Sequence, residues 1–359
     1  MSSSNETLSF IIQATQPKYF SADAEKLEMP SFADNSKAWE NTFALAARLN
    51  VALPLLVIAN QSTWKKDLSS NIQLNIESRL KNELIELAVL ENEYENIITE
   101  LVRDRLNIVM LSGSVLQREL SLDQIFTSSK QLELLVAKEQ LNSALRIMGR
   151  LGYRADPEAA EGGVALTRKL QSQVSGARIA SPVRVRWRIL DVDADHQAAG
   201  LWERSVAKSS PEFPSGIREL AIEDRLAQLM RHAVIEKGLR SLMPFHQMDY
   251  WIRKEPGIDW AKFIFAVENV HAQCAAALAL QWLTRYWQTP IPVNAVESAV
   301  GRLGAIKRRA LLDDEEWQQW FLERPTGWIH ELRAQMLFHD HPTEALKASL
   351  WGRRKPEVA

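Results

Sequence analysis

The stretch IVMLSGS, at residues 108–114, is where the sequence changes from one periodicity to another. Its four apolar residues form a short run that ends in a Ser-Gly-Ser turn, a pattern typical of a buried strand. Residues 67–105, which precede it, contain neither Gly nor Pro and carry apolar residues at helical spacing. The sequence therefore predicts one long helix, or two nearly collinear helices, that leads into the first strand of a sheet.

Further strand patterns follow in the middle of the chain. LELLV, at residues 132–136, is an apolar run interrupted only by Glu133, and a predicted helix follows it. VRVRWRIL, at residues 183–190, alternates with period two and is the clearest strand pattern in the chain. Glycines between these two segments predict loops around another strand near residues 164–170.

Helical periodicity dominates on both sides of this middle region. The fold class that we predict is α+β, with a mixed β-sheet core at residues 107–214. An N-terminal helical region at 36–106 and a C-terminal helical region at 215–359 flank this core. Residues 1–35 are polar and rich in Ser, Asn and Asp, and they predict a loosely ordered N-terminal arm.

Composition excludes several classes of protein. With 46% hydrophobic and 25% charged residues the chain is an ordinary globular one, and no apolar run reaches the roughly 20 residues of a membrane span. Because the first residues lack the features of a secretory signal, we expect a cytoplasmic protein with no membrane partner. A formal net charge of −2 gives no general attraction to nucleic acid, which is therefore not an expected partner. The single cysteine, Cys274, lies in an Ala-rich stretch typical of a buried helix.

The motifs LSGSVL, QLELLV, LGYRAD and VRVRW occur in this order along the chain. Their order and spacing resemble those of a family of uncharacterised bacterial nucleotidyltransferases related to the polymerase-β superfamily. The helix that ends at His232, the segment around Asp249 and the turn at Asp259 resemble the downstream part of that family. The resemblance covers about residues 40–295 and implies a nucleotidyltransferase-like core.

The resemblance also implies a magnesium site. Enzymes of this kind transfer a nucleotidyl group with Mg²⁺, which is held by carboxylates and substrate phosphates. Two acids at i and i+2 on one strand and a third on a neighbouring strand would hold the metal. Those positions fall on Gln131, Glu133 and Arg184, so one carboxylate of the three remains.

The implied phosphate-binding positions are only partly kept. Gly113 and Ser114 retain the turn whose backbone N–H groups would approach a triphosphate. The family lysine falls on Ser112, and the family histidine falls on Arg186. The resemblance therefore supports the fold more strongly than the chemistry.

A row of arginines lies on the alternating strand, and its first member, Arg184, falls on the position of the third acid. Period two places Arg184, Arg186 and Arg188 on one face. Two interpretations stay open: the row is the solvated face of an edge strand, or its guanidinium groups pair with Glu133 or bind an anionic ligand.

Other acids offer alternatives to this assignment. Asp191 and Asp193 would supply metal ligands if the register were shifted, although with Asp195 and His196 they also fit a polar loop. Asp123 would reach the site only from the intervening loop. His232 is interpreted as a hydrogen-bonded structural residue rather than a catalytic one.

Aromatic residues crowd the C-terminal third of the chain. Because aromatic side chains are enriched at interfaces, we expect a protein partner or self-association there. The tryptophans on which this expectation rests are Trp282, Trp287, Trp317, Trp320, Trp328 and Trp351.

Two functions remain after these considerations. The first is a catalytically degenerate nucleotidyltransferase-fold protein that binds a nucleotide, another anionic ligand or a partner protein, without a cofactor. The alternative is an active transferase that uses Mg²⁺ and a nucleoside triphosphate to modify a small molecule or peptide in a biosynthetic pathway. The sequence does not identify the acceptor.

Overall fold

The computed structural model describes residues 3–16, 27–112, 130–156, 163–172, 174, 176–187, 200–207, 217–236, 238–301, 303 and 336–340. The chain divides into two compact units. The helical unit consists of Met1–Ile76 and Ile222–Ala359, and the sheet unit consists of Glu77–Ala221. The predicted N-terminal helical region, residues 36–106, is therefore shared between the two units.

Ten α-helices are found in the described residues. They are α1 (Ser3–Ala14), α2 (Ser36–Arg48), α3 (Ala52–Gln61), α4 (Ser70–Arg103), α5 (Leu141–Arg150), α6 (Ile222–Arg231), α7 (Met243–Lys254), α8 (Trp260–Asn269), α9 (Gln273–Trp282) and α10 (Val293–Gly301). Helix α4 is continuous over 34 residues, which settles the choice between one long helix and two. None of the helices described here combines the length and the apolar character needed to cross a membrane.

A mixed sheet of seven strands is described in the sheet unit. Its strands are β1 (Ile108–Ser112), β2 (Leu132–Val136), β3 (Arg154–Ala155), β4 (Gly163–Gln171), β5 (Arg178–Arg186), β6 (Val206–Ala207) and β7 (Ile217–Glu219). Their order across the sheet is β3-β4-β5-β2-β1-β7-β6. Strand β2 is parallel to β5 and antiparallel to β1, so the predicted α+β fold with a mixed sheet is confirmed.

One face of this sheet forms the core of the sheet unit together with helices α4 and α5. Alternate residues of the central strands, such as Leu134 and Val185, are fully buried in it. Helix α4 contributes Tyr94, whose hydroxyl donates to the carbonyl of Lys130 just before β2 at 2.8 Å. Because side chains alternate along a strand, Glu133 lies on the opposite face of the sheet.

A polar cluster joins α4 to β4 and β5. The Tyr153 hydroxyl contacts Glu93 Oε1 at 3.0 Å and Ser181 Oγ at 2.6 Å. Arg168 Nη1 donates to the same Glu93 oxygen at 2.8 Å. Burial raises the pKa of the Tyr153 phenol, which therefore stays protonated and can donate. These bonds satisfy polar groups where the helix crosses the sheet.

Strand β5 differs from its prediction. The alternating pattern predicted a strand at 183–190, whereas β5 is Arg178–Arg186 and begins five residues earlier. Pro182 obscures this start, because proline is unusual inside a strand. Only the half of β5 after Pro182 pairs with β2, beginning with Leu132 opposite Val183. Pro182, which has no backbone N–H, therefore stands just before the residues that pair with β2.

The N-terminal region also differs from its prediction. Residues 1–35 were expected to form a loosely ordered arm, but Ser3–Ala14 is helix α1. Its Phe10 packs edge-to-face on Trp39, with ring centroids 6.0 Å apart, and Ile11 is fully buried. Burial of these apolar side chains outweighs the polar composition that suggested disorder.

The last helices of the helical unit enclose a buried histidine. His246, on α7, is fully buried, and its Nδ1 accepts a hydrogen bond from Trp287 Nε1 at 2.9 Å. Its Nε2 lies 2.8 Å from the hydroxyl of Thr15, which in turn donates to the carbonyl of Ile11 at 2.6 Å. An indole nitrogen can only donate, so the imidazole proton is on Nε2. The network therefore fixes a neutral tautomer.

Candidate functional site

The strand register brings the predicted site residues together on the face opposite α4 and α5. Glu133 of β2 is paired with Arg184 of β5, and Leu135 is paired with Arg186. The last residue of β1, Ser112, lies across from Glu133 on the other side. Adjacent strands are about 4.8 Å apart, so side chains of these residues on one face can contact each other.

Both oxygens of the Glu133 carboxylate face guanidinium groups. Oε1 lies 3.4 Å from Nη1 of Arg184, and Oε2 lies 3.4 Å from Nε of Arg186. The side chains of Glu133 and Arg186 are 11% and 9% exposed, whereas that of Arg184 is 26% exposed. The site is thus a half-buried cluster of two cations and one anion, which we call the Arg-Glu cluster.

Strand β5 is not an edge strand in this part of the sheet. Arg184 and Arg186 lie in its second half, which pairs with β4 on one side and β2 on the other. The interpretation of the arginines as the solvated face of an edge strand is therefore wrong. The pairing of Arg184 and Arg186 with Glu133 is the interpretation that the geometry supports.

A close backbone approach holds Arg186 in place. Gly163, the first residue of β4, lies directly opposite Arg186 in the register. A Cβ atom at Gly163 would lie 3.0 Å from Cγ of Arg186 and 3.1 Å from the carbonyl oxygen of Val185. A side chain at this position would require the stem of Arg186 or the backbone of β5 to shift by a few tenths of an ångström.

We expect Gly163→Ala to lower the free energy of unfolding by about 1–2 kcal/mol, because the added methyl group overpacks against Arg186 and β5. Thermal and urea denaturation would measure the change. The matched control is Gly149→Ala in helix α5, where a Cβ atom meets no atom within 4 Å. That variant should be stabilised by roughly 0.5–1 kcal/mol. Equal effects of the two substitutions would contradict the close packing at Gly163.

Several predicted site residues cannot be placed on this face. Gln131 lies in the bend immediately before β2, and it is half-buried. The remaining positions lie outside the described residues, and their roles stay predictions: Gly113, Ser114, Asp123, Arg188, Asp191, Asp193, Asp195 and His196.

The described side chains of the Arg-Glu cluster do not fit a magnesium ion. Mg²⁺ needs oxygen ligands in an octahedral arrangement, usually including carboxylates. Glu133 stands at the predicted ligand position, but each of its oxygens already faces a guanidinium group. A cation at that position would meet two positive charges, and the described residues contain no group of three or more His, Cys, Asp or Glu side chains that could hold a metal.

Three further residues that resemble the family lie in the helical unit. His232 Nδ1 lies 2.9 Å from Oε2 of Glu236, one helical turn away, in agreement with a structural role. Asp249 is fully buried, where its Oδ1 accepts hydrogen bonds from Arg253 at 2.8 Å and Thr289 at 2.7 Å. These contacts give both residues structural partners within the helical unit.

Asp259 is the N-cap of helix α8. Its side chain accepts hydrogen bonds from the backbone N–H groups of Ala261 and Lys262, both at 3.1 Å. The bond from Lys262 holds the pKa of the exposed Asp259 carboxyl below its usual value. The alternative of a helix cap, which the sequence left open, therefore accounts for this residue.

The C-terminal tryptophans divide into two groups. Trp282 and Trp287 are buried, and the ring centroids of Phe245 and Trp287 are 5.5 Å apart in a stacked arrangement. These two residues belong to the core of the helical unit, so the prediction that they contribute to an interface is wrong. Trp317, Trp320, Trp328 and Trp351 lie outside the described residues, and an interface there stays a prediction.

Cys274 is buried near the start of α9, as expected. Its backbone N–H and that of Gln273 donate to the two carboxylate oxygens of Asp340, both at 2.9 Å. Asp340 thus caps α9 from a distant part of the chain. A distant cap cannot be recognised from the local sequence pattern.

The fold and the site define a class of protein. The mixed sheet, with helices on one face and Glu133 beside Arg184 on the other, is a nucleotidyltransferase-like α+β core. The chain belongs to the family of uncharacterised nucleotidyltransferases, whose sequence model matches residues 35–288. No curated protein and no solved structure matches the chain in the corresponding comparisons. The resemblance found in the motifs is confirmed, and it extends over both described units.

Proposed function

We propose that this chain is a nucleotidyltransferase-fold protein that has lost metal-dependent transfer and acts by binding the phosphate groups of a nucleotide or of another anionic ligand. The observation that carries the proposal is the Arg-Glu cluster. Glu133, at a predicted metal-ligand position, is paired with Arg184 and Arg186, which stand at the predicted positions of the third acid and of the family histidine.

Charge supports an anion rather than a cation at this place. The contacts around Glu133 involve two guanidinium groups and one carboxylate. At about 4 Å and an effective dielectric constant of about 20, one unit charge repels another by roughly 4 kcal/mol. Each arginine would therefore repel a magnesium ion about as strongly as a carboxylate at the same distance attracts it.

Hydrogen bonding supports the same conclusion. Guanidinium groups offer five N–H donors in a planar arrangement that matches phosphate oxygens. Within the part of the chain that the structure describes, the buried Nε of Arg184 makes no hydrogen bond. Arg184 is also the more exposed of the two arginines, so it is the group that a ligand would reach first.

Isothermal calorimetry with ATP, in EDTA and in Mg²⁺, tests the proposal. We expect binding without metal, and we expect Arg184→Gln to weaken it about tenfold or more through loss of a charged donor. The matched control is Arg178→Gln, since Arg178 is exposed and lies on the same face of β5, roughly 20 Å along the strand. Binding that requires Mg²⁺ would overturn the proposal and favour the alternative of an active transferase with acids such as Asp191 and Asp193.

A further inference from the structure

We infer that the hairpin formed by β4 and β5 carries a surface that binds an extended acidic segment of a partner protein. This surface consists of Arg154, Lys169 and Arg178, which we call the cationic diagonal, and all three residues are exposed. It is separate from the Arg-Glu cluster, and the inference does not depend on the function proposed for that cluster. It follows from the strand register, from the charges and from the small side chains between them.

The register places the three cations in a straight line across three strands. Arg154 of β3 lies opposite Thr167 of β4, and Arg178 of β5 lies opposite Gln171 of β4. Thr167, Lys169 and Gln171 are alternate residues of β4, so their side chains share one face of the sheet. Each step of the line therefore crosses one strand and two residues, a distance of about 8 Å.

The charges of the cationic diagonal are not neutralised by neighbouring acids. In the part of the chain that the structure describes, none of its three residues takes part in an ion pair. Arg168, between Thr167 and Lys169, points to the opposite face, where it pairs with Glu93 at 2.8 Å. Asp156 shares the open face, but it lies beside Ala165, at the end away from Lys169. The diagonal therefore keeps its positive charge.

The hairpin presents the cationic diagonal on a rigid support. Strands β4 and β5 pair over all nine residues of each strand. The turn between them is closed by two backbone hydrogen bonds of 2.8 Å, from Ser172 to Ala177 and from Gly176 to Ser172. On the other face, the ion pair between Arg168 and Glu93 ties the hairpin to helix α4. A rigid surface loses little conformational freedom on binding, so contacts of modest strength are sufficient.

Spacing and charge select the partner. In an extended polypeptide, alternate side chains point to the same side and are roughly 6.7 Å apart. This spacing is close to the step of the cationic diagonal, and the long side chains of arginine and lysine can make up the difference. Acidic residues at alternate positions can therefore pair with all three cations at once. Because the formal net charge of the whole chain is −2, the attraction is confined to this face.

The residues between the cations favour a polypeptide over nucleic acid. Proteins that bind single-stranded nucleic acid combine cations with aromatic side chains on which the bases stack. On this face of the hairpin, the positions beside the cations are Thr167 and Ala180, and Pro182 lies opposite Thr167. These small side chains leave a flat surface along which an extended segment can lie.

Fluorescence anisotropy with a labelled peptide of alternating glutamate and threonine tests the inference. We expect the unmodified protein to bind this peptide and Lys169→Gln to weaken binding about two- to fivefold, the contribution of one exposed ion pair. The triple variant Arg154→Gln, Lys169→Gln and Arg178→Gln should weaken it about tenfold or more. The matched control is Arg146→Gln, which removes an exposed cation from helix α5 on the opposite face of the sheet. Circular dichroism would verify that each variant is folded.

Four outcomes would overturn the inference. One is no binding of the peptide, or equal binding by the unmodified protein and both the single and the triple variant. Another is equal binding of a peptide with the same composition but consecutive glutamates, which would contradict the match in spacing. Tighter binding of a single-stranded oligouridylate, lost in the triple variant, would replace the acidic segment by nucleic acid. Self-association of the triple variant with unchanged peptide binding would show that the charges only protect the hairpin from strand pairing.

Discussion

Replacing Glu133 by leucine is expected to lower the free energy of unfolding of the sheet unit by about 3 kcal/mol. The substitution leaves Arg184 and Arg186 without their shared carboxylate, and removing one partner from a buried ion pair is strongly destabilising. Urea denaturation followed by circular dichroism would measure the loss. Glu139→Leu, at an exposed position in the turn before α5, should change stability by less than about 0.5 kcal/mol.

A double substitution tests the cause of this loss. In the variant Glu133→Leu with Arg186→Met, the more buried guanidinium group is removed together with the carboxylate. Replacing a buried ion pair by apolar side chains of similar size is often nearly neutral, so the double variant should recover about half of the loss or more. A double variant that is less stable than Glu133→Leu alone would show that the ion pair is not what holds this part of the sheet.

We also expect the free energy of unfolding to decrease as the pH is lowered, because of His246. Burial lowers the pKa of this imidazole to about 3 in the folded protein, against about 6.5 in the unfolded chain. Between these values the unfolded state binds more protons, so the stabilisation is fully present above about pH 6.5 and is lost as the pH falls. The expected loss attributable to this histidine between pH 7.5 and pH 5 is about 2 kcal/mol.

The hydrogen bonds around His246 explain why it resists protonation. A proton on Nδ1 would point at the indole N–H of Trp287, which now donates to that nitrogen. His246→Gln keeps an acceptor and a donor, and its unfolding free energy should depend less on pH by about 2 kcal/mol over the same interval. Thr284→Ser, in the same unit, removes no titratable group and should retain the pH dependence of the unmodified protein. Identical profiles for both variants and the unmodified protein would contradict the assignment to His246.

Local sequence patterns correctly predicted the elements in which the pattern of buried residues is regular from end to end. Strand β2 has the predicted range, because a short apolar run with all five residues buried needs no further context. The long helix α4 was predicted for a similar reason, since its apolar spacing is regular and no Gly or Pro interrupts it. In these two elements, the local sequence pattern and the burial in the folded protein favour the same secondary structure.

Patterns failed where distant contacts decide the structure. Helix α1 was predicted as a loose arm because its apolar side chains are few, and their partners, such as Trp39, lie far along the chain. Within the predicted C-terminal helical region, α8 and α9 are separated at His271, which has a left-handed φ of 49°. There Ala272 N–H donates to the carbonyl of Val267 at 3.0 Å, a helix ending that usually contains glycine.

The sequence by itself determined the family and the chemical character of the site. The order of the motifs predicted that Gln131, Glu133 and Arg184 take the metal-ligand positions, and the amide and guanidinium groups there follow from residue identity alone. The tertiary structure decided how these groups interact. The parallel register of β2 and β5 places Glu133 beside Arg184, and β4 presents Gly163 to Arg186. Register depends on pairing between segments some 20 to 50 residues apart, which no local periodicity specifies.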